Sequence, residues 1–310
     1  MKAARVNRLG PPDVISIEDI AVPSPGEPDV LVRVRASGVG PWDALVRTGK
    51  SGLPLTLPLT LGSEIAGTVE RVGAKASRFA VGDEVFGATN PLFVDGYAEH
   101  AVVAERMIAK KPAALSNIQA AALPVVAVMA WQMLFDHAQV SEGQTIVVHG
   151  GAGNVGAYAI QFARSRKLSV IATIYGGDAD YVRKLGANRV IDTKSQDIGD
   201  FPDRADAVID TVGGDMQDQL FKLVKPGGIV VSSVARPKEQ LASQYRVRSD
   251  YFIVDVNSAQ LAEIAGMFER KQLTIPVGSV LPLSEARAAH EMMAGSRPHL
   301  RGKIVLAIDG

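Results

Sequence analysis

The sequence predicts an α/β protein in which a doubly wound parallel sheet is inserted between β-rich flanking segments. Three observations carry this. Short period-2 apolar runs cut by Gly and Pro fill the first third of the chain. Six continuous apolar runs then alternate with helical patterns. Between the first of these runs and the helix after it stands the glycine triplet Gly151-Ala-Gly153-Asn-Val-Gly156.

In chain order, Val30, Val32 and Val34 alternate with Leu31, Arg33 and Arg35 and give one apolar strand face. Ile65–Val72 and Asp83–Phe86 read as further short strands, separated by Gly62, Gly73, Gly82 and Gly96. Such spacing suits a small barrel or partly open sandwich. Ser116-Asn-Ile-Gln119 has the capping-box pattern, and one long apolar helix is expected from there toward His137. Strands are then expected at Thr145–His149, Ser169–Ile174, Arg189–Asp192, Ala207–Thr211, Ile229–Ser233 and Tyr251–Val256. The intervening helices are Asn154–Arg166, Ala179–Leu185 and Met216–Val224, with Lys225-Pro-Gly-Gly228 as a turn. Amphipathic helices at Ser258–Lys271 and Ser284–Ala294 and a strand at Gly302–Ile308 complete the chain.

Composition narrows the chemistry. The 310 residues are 47% apolar and 21% charged, with mean hydropathy +0.12, as in ordinary folded proteins. Lys and Arg number 33 against 33 acids, and the balance holds along the chain: 13 against 13 in residues 1–118, 14 against 16 in 119–265, and 6 against 4 in 266–310. No segment has the basic excess that favours nucleic acid or an anionic membrane, so neither is an expected partner. Cysteine is absent, which excludes disulfides, thiolate nucleophiles, Fe–S clusters and thiolate-held zinc. The N-terminus has no apolar signal core, and the longest apolar run, Ala120–Trp131, is interrupted by Pro124, so the expected location is cytoplasmic.

The glycine triplet follows a strand, opens a helix and belongs to a unit of about 30 residues, the context of dinucleotide binding. In this reading Gly151 makes the turn, Gly153 lets a pyrophosphate approach, and Gly156 packs helix on strand. Asn154 and Val155 add N–H groups at the helix start. The bland alternative is a strand–helix turn without a ligand. Thr173 and Tyr175 fall beside the adenosine ribose. No acid ends the second strand, Ala172-Thr-Ile-Tyr-Gly-Gly177, and Asp178 reads as a helix N-cap, which favours NADPH over NADH. Arg183, Lys184 and Lys194 are the nearest cations.

Several stretches together resemble the zinc-independent quinone oxidoreductases of the medium-chain dehydrogenase/reductase superfamily. They are Gly62–Val69, Val81–Phe86, Asp95–Glu99, Ala122–Pro124 with Ala130–Gln132, and His149–Gly156. Leu185–Ala187, Val190–Asp192, Asp210–Gly214, Lys225–Gly228 and Arg301–Val305 continue the series in the family's order. The resemblance implies a GroES-like catalytic domain (1–118 with 266–310), a Rossmann domain (119–265) and an active site in the cleft between them. It implies NADPH as cofactor, no zinc, a quinone or enone as the small-molecule electrophile, and a homodimer built near Ile229–Val256. Zinc-dependent relatives hold metal with a Cys near position 40 and a His in Gly-His-Glu. Here Gly38–Asp43 and Gly62-Ser63-Glu64 lack both.

The resemblance brings Val212, Ser233, Val234, Phe252 and Val254 to the nicotinamide, at or near strand carboxyl ends, and His299 and Arg301 to the cofactor's rim. Core packing is the alternative for Phe252 and Val254, and a solvated rim for His299 and Arg301. Trp42, Asp43 and Met129 line the substrate side. For Trp42 the alternative is a core aromatic, and for Asp43 a turn-fixing role. The family's Asn and Tyr are replaced by Gly40 and Leu45, and its Thr by Met129, while Tyr97 is a donor or a structural residue. Two other readings stand beside quinone reduction: an enoyl-thioester or alkenal reductase, and a non-catalytic NADPH-binding protein.

Overall fold

The computed structural model describes residues 1–198 and 204–308. The chain divides into two compact units, Met1–Val125 with Val256–Gly310, and Val126–Asp255. The sequence reading sets the borders at 118/119 and 265/266. The structure moves helix Asn117–Ala121 and helix Ser258–Glu269 to the β-rich unit, because both pack on its strands.

The first unit contains β1 (Lys2–Val6), β2 (Ile15–Asp19), β3 (Asp29–Val39), α1 (Pro41–Arg47), β4 (Leu59–Thr60), β5 (Glu64–Val72), β6 (Glu84–Ala88), β7 (His100–Ala104) and β8 (Ile108–Lys110). β2-β1-β4 form a small sheet, and β3 is the hub of the larger one. Val32, Val34, Ile65, Val85, Val103 and Ile108 are buried in one core with Tyr97. The expected alternation in β3 is real but incomplete: Leu31 is also fully buried.

The capping box forms: Ser116 Oγ accepts from Gln119 N at 3.2 Å, and Ser116 N donates to Gln119 Oε1 at 3.1 Å. The single long helix does not form. It divides into α2 (Asn117–Ala121), α3 (Pro124–Trp131) and a π-helical turn, Gln132–His137. Pro124 lacks an N–H and its ring opposes the carbonyl four residues back, so it restarts the helix rather than continuing it.

The second unit holds β9 (Thr145–His149), α4 (Asn154–Ser165), β10 (Ser169–Ile174), α5 (Ala179–Leu185), β11 (Arg189–Asp192), β12 (Ala205–Asp210), α6 (Gln217–Leu220), β13 (Val224–Ser232), α7 (Glu239–Tyr245) and β14 (Arg248–Tyr251). All five strand pairings are parallel, in the order β11-β10-β9-β12-β13-β14. That is the doubly wound order, whose reversal between β9 and β12 opens a crevice at the strand carboxyl ends. Val147, Ile171, Ile191, Val208 and Val230 pack the core with Leu220 and Phe221.

Two expectations need correction here. The sixth strand is Arg248–Tyr251 rather than Tyr251–Val256. β13 ends at Ser232, which pairs with Tyr251, so later residues have no ladder partner. Lys225–Gly228 lies inside β13 as an irregularity between the pairs Ala205↔Val224 and Ala207↔Ile229. The chain returns to the first unit through α8 (Ser258–Glu269), β15 (Val277–Pro282), α9 (Ala286–Met293) and β16 (Lys303–Ala307). β16 pairs antiparallel with β3. Among the described residues no helix is long and apolar enough to cross a membrane.

Candidate active site

The glycine loop leaves β9 and enters α4, with Gly153 at the helix N-cap. A Cβ on Gly156 would overlap the Gly150 carbonyl oxygen and lie 2.9 Å from Gly151 Cα, so this glycine is required for helix and loop to approach. A Cβ on Gly151 would lie 2.9 Å from the Ala172 Cβ on β10. Gly153 differs. Its φ is −75°, and a Cβ there would meet only the Gly150 oxygen, at 3.3 Å. The protein itself barely needs a glycine at 153, and the space before it is open.

That space is a cavity of about 480 Å³ at the carboxyl ends of β9, β10 and β12. Gly153, Thr173, Tyr175 and Val212, four of the residues expected at a cofactor, line it together with His149, Gly150 and Thr211. Asn154, Val155, Gly151 and Gly156 form the loop behind it. Thr173 is buried, and its hydroxyl joins two strands: Oγ1 accepts from Gly150 N at 3.2 Å and lies 2.6 Å from His149 Nδ1. Gly151 N donates to Thr173 O at 2.9 Å. The loop is thus tied to the second strand before any ligand arrives, as a preorganised anion cradle requires.

Sequence reasoning gave Asp210 no role, yet it organises the opposite wall. Fully buried at the end of β12, Asp210 accepts from Val212 N (3.0 Å) and Gly213 N (2.8 Å) through Oδ1. Its Oδ2 accepts from Gln217 Nε2 and Ser232 Oγ, each at 2.9 Å. Ser232 Oγ in turn accepts from Val234 N at 3.3 Å. Val212 and Val234 are exposed and Ser233 is half-buried, on backbone held by this carboxylate. The available signal was the burial of an acid at a parallel strand's end, which needs hydrogen-bond partners.

An acid does reach the end of β10, but from the neighbouring strand. Asp192 pairs with Ile174, and its Oδ1 accepts from Gly176 N (2.8 Å) and Lys194 N (3.0 Å). Those two bonds hold its carboxyl below the usual carboxylate range. Tyr175 projects into solvent at this corner. Asp178 takes the N-cap position of α5.

Phe252 stacks on His137, centroids 3.7 Å apart, and His137 Nδ1 lies 2.7 Å from Asp250 Oδ2. Val254 is buried. Gln132 fixes this segment by exchanging hydrogen bonds with the Asp255 backbone at 2.8 and 3.2 Å. Met129 is half-buried on α3. His299 and Arg301 lie exposed on the loop before β16, with His299 Nδ1 2.8 Å from Leu300 O.

In the β-rich unit, Trp42 and Asp43 open α1. Trp42 is half-buried against the core and meets Phe93 edge-on at 6.0 Å. Asp43 is fully buried. Its Oδ2 accepts from Gly40 N (2.8 Å) and Tyr97 Oη (2.9 Å), so it fixes the start of α1 and with it the Trp42 backbone. Burial pushes the Asp43 carboxyl up to about 6, against the lowering effects of the Gly40 N–H, Lys303 and Tyr97. Tyr97, itself buried, is held well above the ordinary phenol range by burial and then by Asp43. Beside them Lys303 of β16 forms a buried ion pair with Glu64 of β5, and Glu64 Oε1 also accepts from Val125 N at 2.8 Å. Arg47 Nη1 lies 3.2 Å from Nδ1 of buried His290. Burial, reinforced by Arg47, lowers that imidazole to about 3, so it is neutral near pH 7. Among the described residues no three His, Asp or Glu side chains cluster as a metal site.

A β-rich unit interrupted by a doubly wound nucleotide-fold unit, with a glycine loop at the crevice, is the architecture of a two-domain dehydrogenase or reductase. Comparison with known proteins agrees. Residues 26–113 match the alcohol dehydrogenase GroES-like domain, and residues 185–306 match the zinc-binding dehydrogenase family. The chain is 31% identical to the mouse (Mus musculus) quinone oxidoreductase over 99% of its own length and 98% of that protein's. It is 32% identical to the chloroplastic NADPH-dependent alkenal/one oxidoreductase of Arabidopsis thaliana, covering 99% of this chain and 79% of that protein. The solved quinone oxidoreductase of Coxiella burnetii superposes with a TM-score of 0.93 at 30% identity, covering 100% of this chain and 99% of that one. The chain belongs to the quinone oxidoreductase family of the medium-chain dehydrogenase/reductase superfamily.

Proposed function

We propose that the protein is an NADPH-dependent oxidoreductase that reduces a quinone or an activated alkene without zinc. The observation that carries this is the open 480 Å³ cavity before Gly153, whose walls are fixed by Thr173 and Asp210. An open cradle at a helix N-terminus, built where the strand order reverses, fits a dinucleotide pyrophosphate. When bound, the reduced nicotinamide supplies a hydride, and solvent supplies the proton that completes the two-electron reduction.

The residues then divide the work. Gly151–Gly156 hold the phosphates and Thr173 and Tyr175 flank the adenosine ribose. Val212, Ser233, Val234 and Phe252 bound the nicotinamide side. Met129 is an acceptor-side residue of the second unit, and in the β-rich unit Asp43 positions Trp42. Ser63 stands where zinc relatives keep histidine, and the chain has no cysteine, so the acceptor must already be electrophilic. Quinones and enones meet that demand. The Arabidopsis relative supports NADPH and extends the acceptor class to alkenals and enones. Asp192 opposes a 2′-phosphate, and the Lys194 ammonium offsets that charge at the same corner. The free edge of β14 is the surface through which two copies would pair as a dimer.

Steady-state assays with NADPH and NADH, each against 1,4-benzoquinone and an alkenal, test the reading. The expected result is turnover, with kcat/KM higher for NADPH. Tight NADPH binding with no turnover on any acceptor would instead identify a binding protein. Stoichiometric zinc in active protein would overturn the metal-free part.

A further inference from the structure

His149 ends β9 directly beneath the glycine loop. It is 4% exposed and lines the candidate cofactor cavity. Its backbone is fixed, since His149 O accepts from Thr211 Oγ1 at 2.7 Å and from Thr211 N at 3.2 Å. Its Nδ1 lies 2.6 Å from Thr173 Oγ1. Its Nε2 is buried with no partner among the described residues.

Hydrogen-bond accounting assigns the tautomer. Thr173 Oγ1 accepts from Gly150 N–H and carries one buried proton that itself needs an acceptor. His149 Nδ1 is the acceptor within reach, which leaves the ring proton on Nε2. Burial lowers the imidazole below its ordinary value, with only Asp210 opposing, so the ring is neutral near pH 7 and carries that one N–H. A buried donor without an acceptor is costly, and such groups in native proteins have a reason. Here the orphan belongs to a residue that lines a cavity at the ends of the first and second strands, and it lies just beneath that surface. In a doubly wound fold those ends take the adenosine side of a dinucleotide.

We propose that His149 is a ligand of the dinucleotide, its Nε2–H donating to a ribose or phosphate oxygen of the adenosine diphosphate half. The inference rests on the cofactor reading above. It adds a side-chain donor to the site, and it gives the His149–Thr173 hydrogen bond a purpose: fixing the ring and leaving Nε2 for the ligand.

Two substitutions separate this from a purely internal role. His149→Asn keeps an acceptor near the Nδ1 position and loses the Nε2 donor. His149→Gln carries a donor near the Nε2 position. Calorimetric titration of each folded variant with ADP and with NADPH reads the contact, and thermal unfolding without ligand reads the fold. The expected result is a Kd about tenfold higher for both probes in His149→Asn, equivalent to about 1.4 kcal/mol, with part of the affinity restored in His149→Gln. Wild-type affinity for ADP and NADPH in His149→Asn would overturn the proposal, leaving water as the partner of Nε2. Loss of binding in His149→Phe but not in His149→Asn would overturn it too, reducing His149 to a support for Thr173. If the unmodified protein binds neither probe, the cofactor reading itself falls, an outcome separate from either of these.

Discussion

Gly153 and Gly156 belong to one motif but answer to different physics, and a paired substitution exposes the difference. At Gly156 a methyl group would overlap a backbone oxygen and press on two backbone carbons, none of which can swing aside. Overpacking of this kind costs about 1–3 kcal/mol, or about 2–12 °C in Tm at about 2–4 °C per kcal/mol for a unit of this size. At Gly153 the same methyl meets one atom at 3.3 Å, with φ at −75°, so Gly153→Ala costs under about 1 kcal/mol. Gly153→Val then places its bulk at the mouth of the cavity and weakens NADPH at least about tenfold, 1.4 kcal/mol, with little loss of stability. Differential scanning fluorimetry and NADPH fluorescence titration measure the two effects separately. Equal destabilisation by Gly153→Ala and Gly156→Ala, or unchanged NADPH affinity in Gly153→Val, would refute the assignment of Gly153 to the ligand and Gly156 to the fold.

The remaining predictions concern buried charge. The Asp43 carboxyl is raised from 3.8 to about 6, so between those values the folded state holds a proton that the unfolded chain has released. Its contribution to stability is present below pH 4 and lost as pH rises through 6, by about 3 kcal/mol at most. Unfolding free energies across pH 4–7 should therefore show a shallower decline in Asp43→Asn than in the unmodified protein, and a parallel profile would contradict this. Lys303→Met strands Glu64 as an unpaired buried charge and should cost about 3–5 kcal/mol, whereas adding Glu64→Gln should recover part of that loss in urea unfolding. Asp210→Ala removes the acceptor for two loop N–H groups, Gln217 and Ser232, and should weaken NADPH binding as well as lowering Tm. A variant with native affinity would show that the wall it holds does not meet the cofactor.

What the sequence determined by itself is local. Apolar periodicity set the ends of β9, β10 and β11 to the residue, because each lies between a turn signal and a helix cap within a few positions. The glycine spacing likewise located the loop between β9 and α4, since its demands fall on six consecutive residues. It was the pairings across distance that only the tertiary structure decided. β14 stops at Tyr251 because β13 offers no further partner, although Phe252, Val254 and Val256 alternate as a strand would. Asp43 turns inward because Tyr97, 54 positions away, supplies a hydroxyl, and Lys303 meets Glu64 only through the register of β16, β3 and β5. His149 becomes a candidate ligand only once Thr173, 24 residues on, occupies its other nitrogen. Secondary structure follows from neighbours along the chain. Whether a polar side chain is spent inside the protein or left over for a ligand depends on which distant donors and acceptors the fold delivers to it.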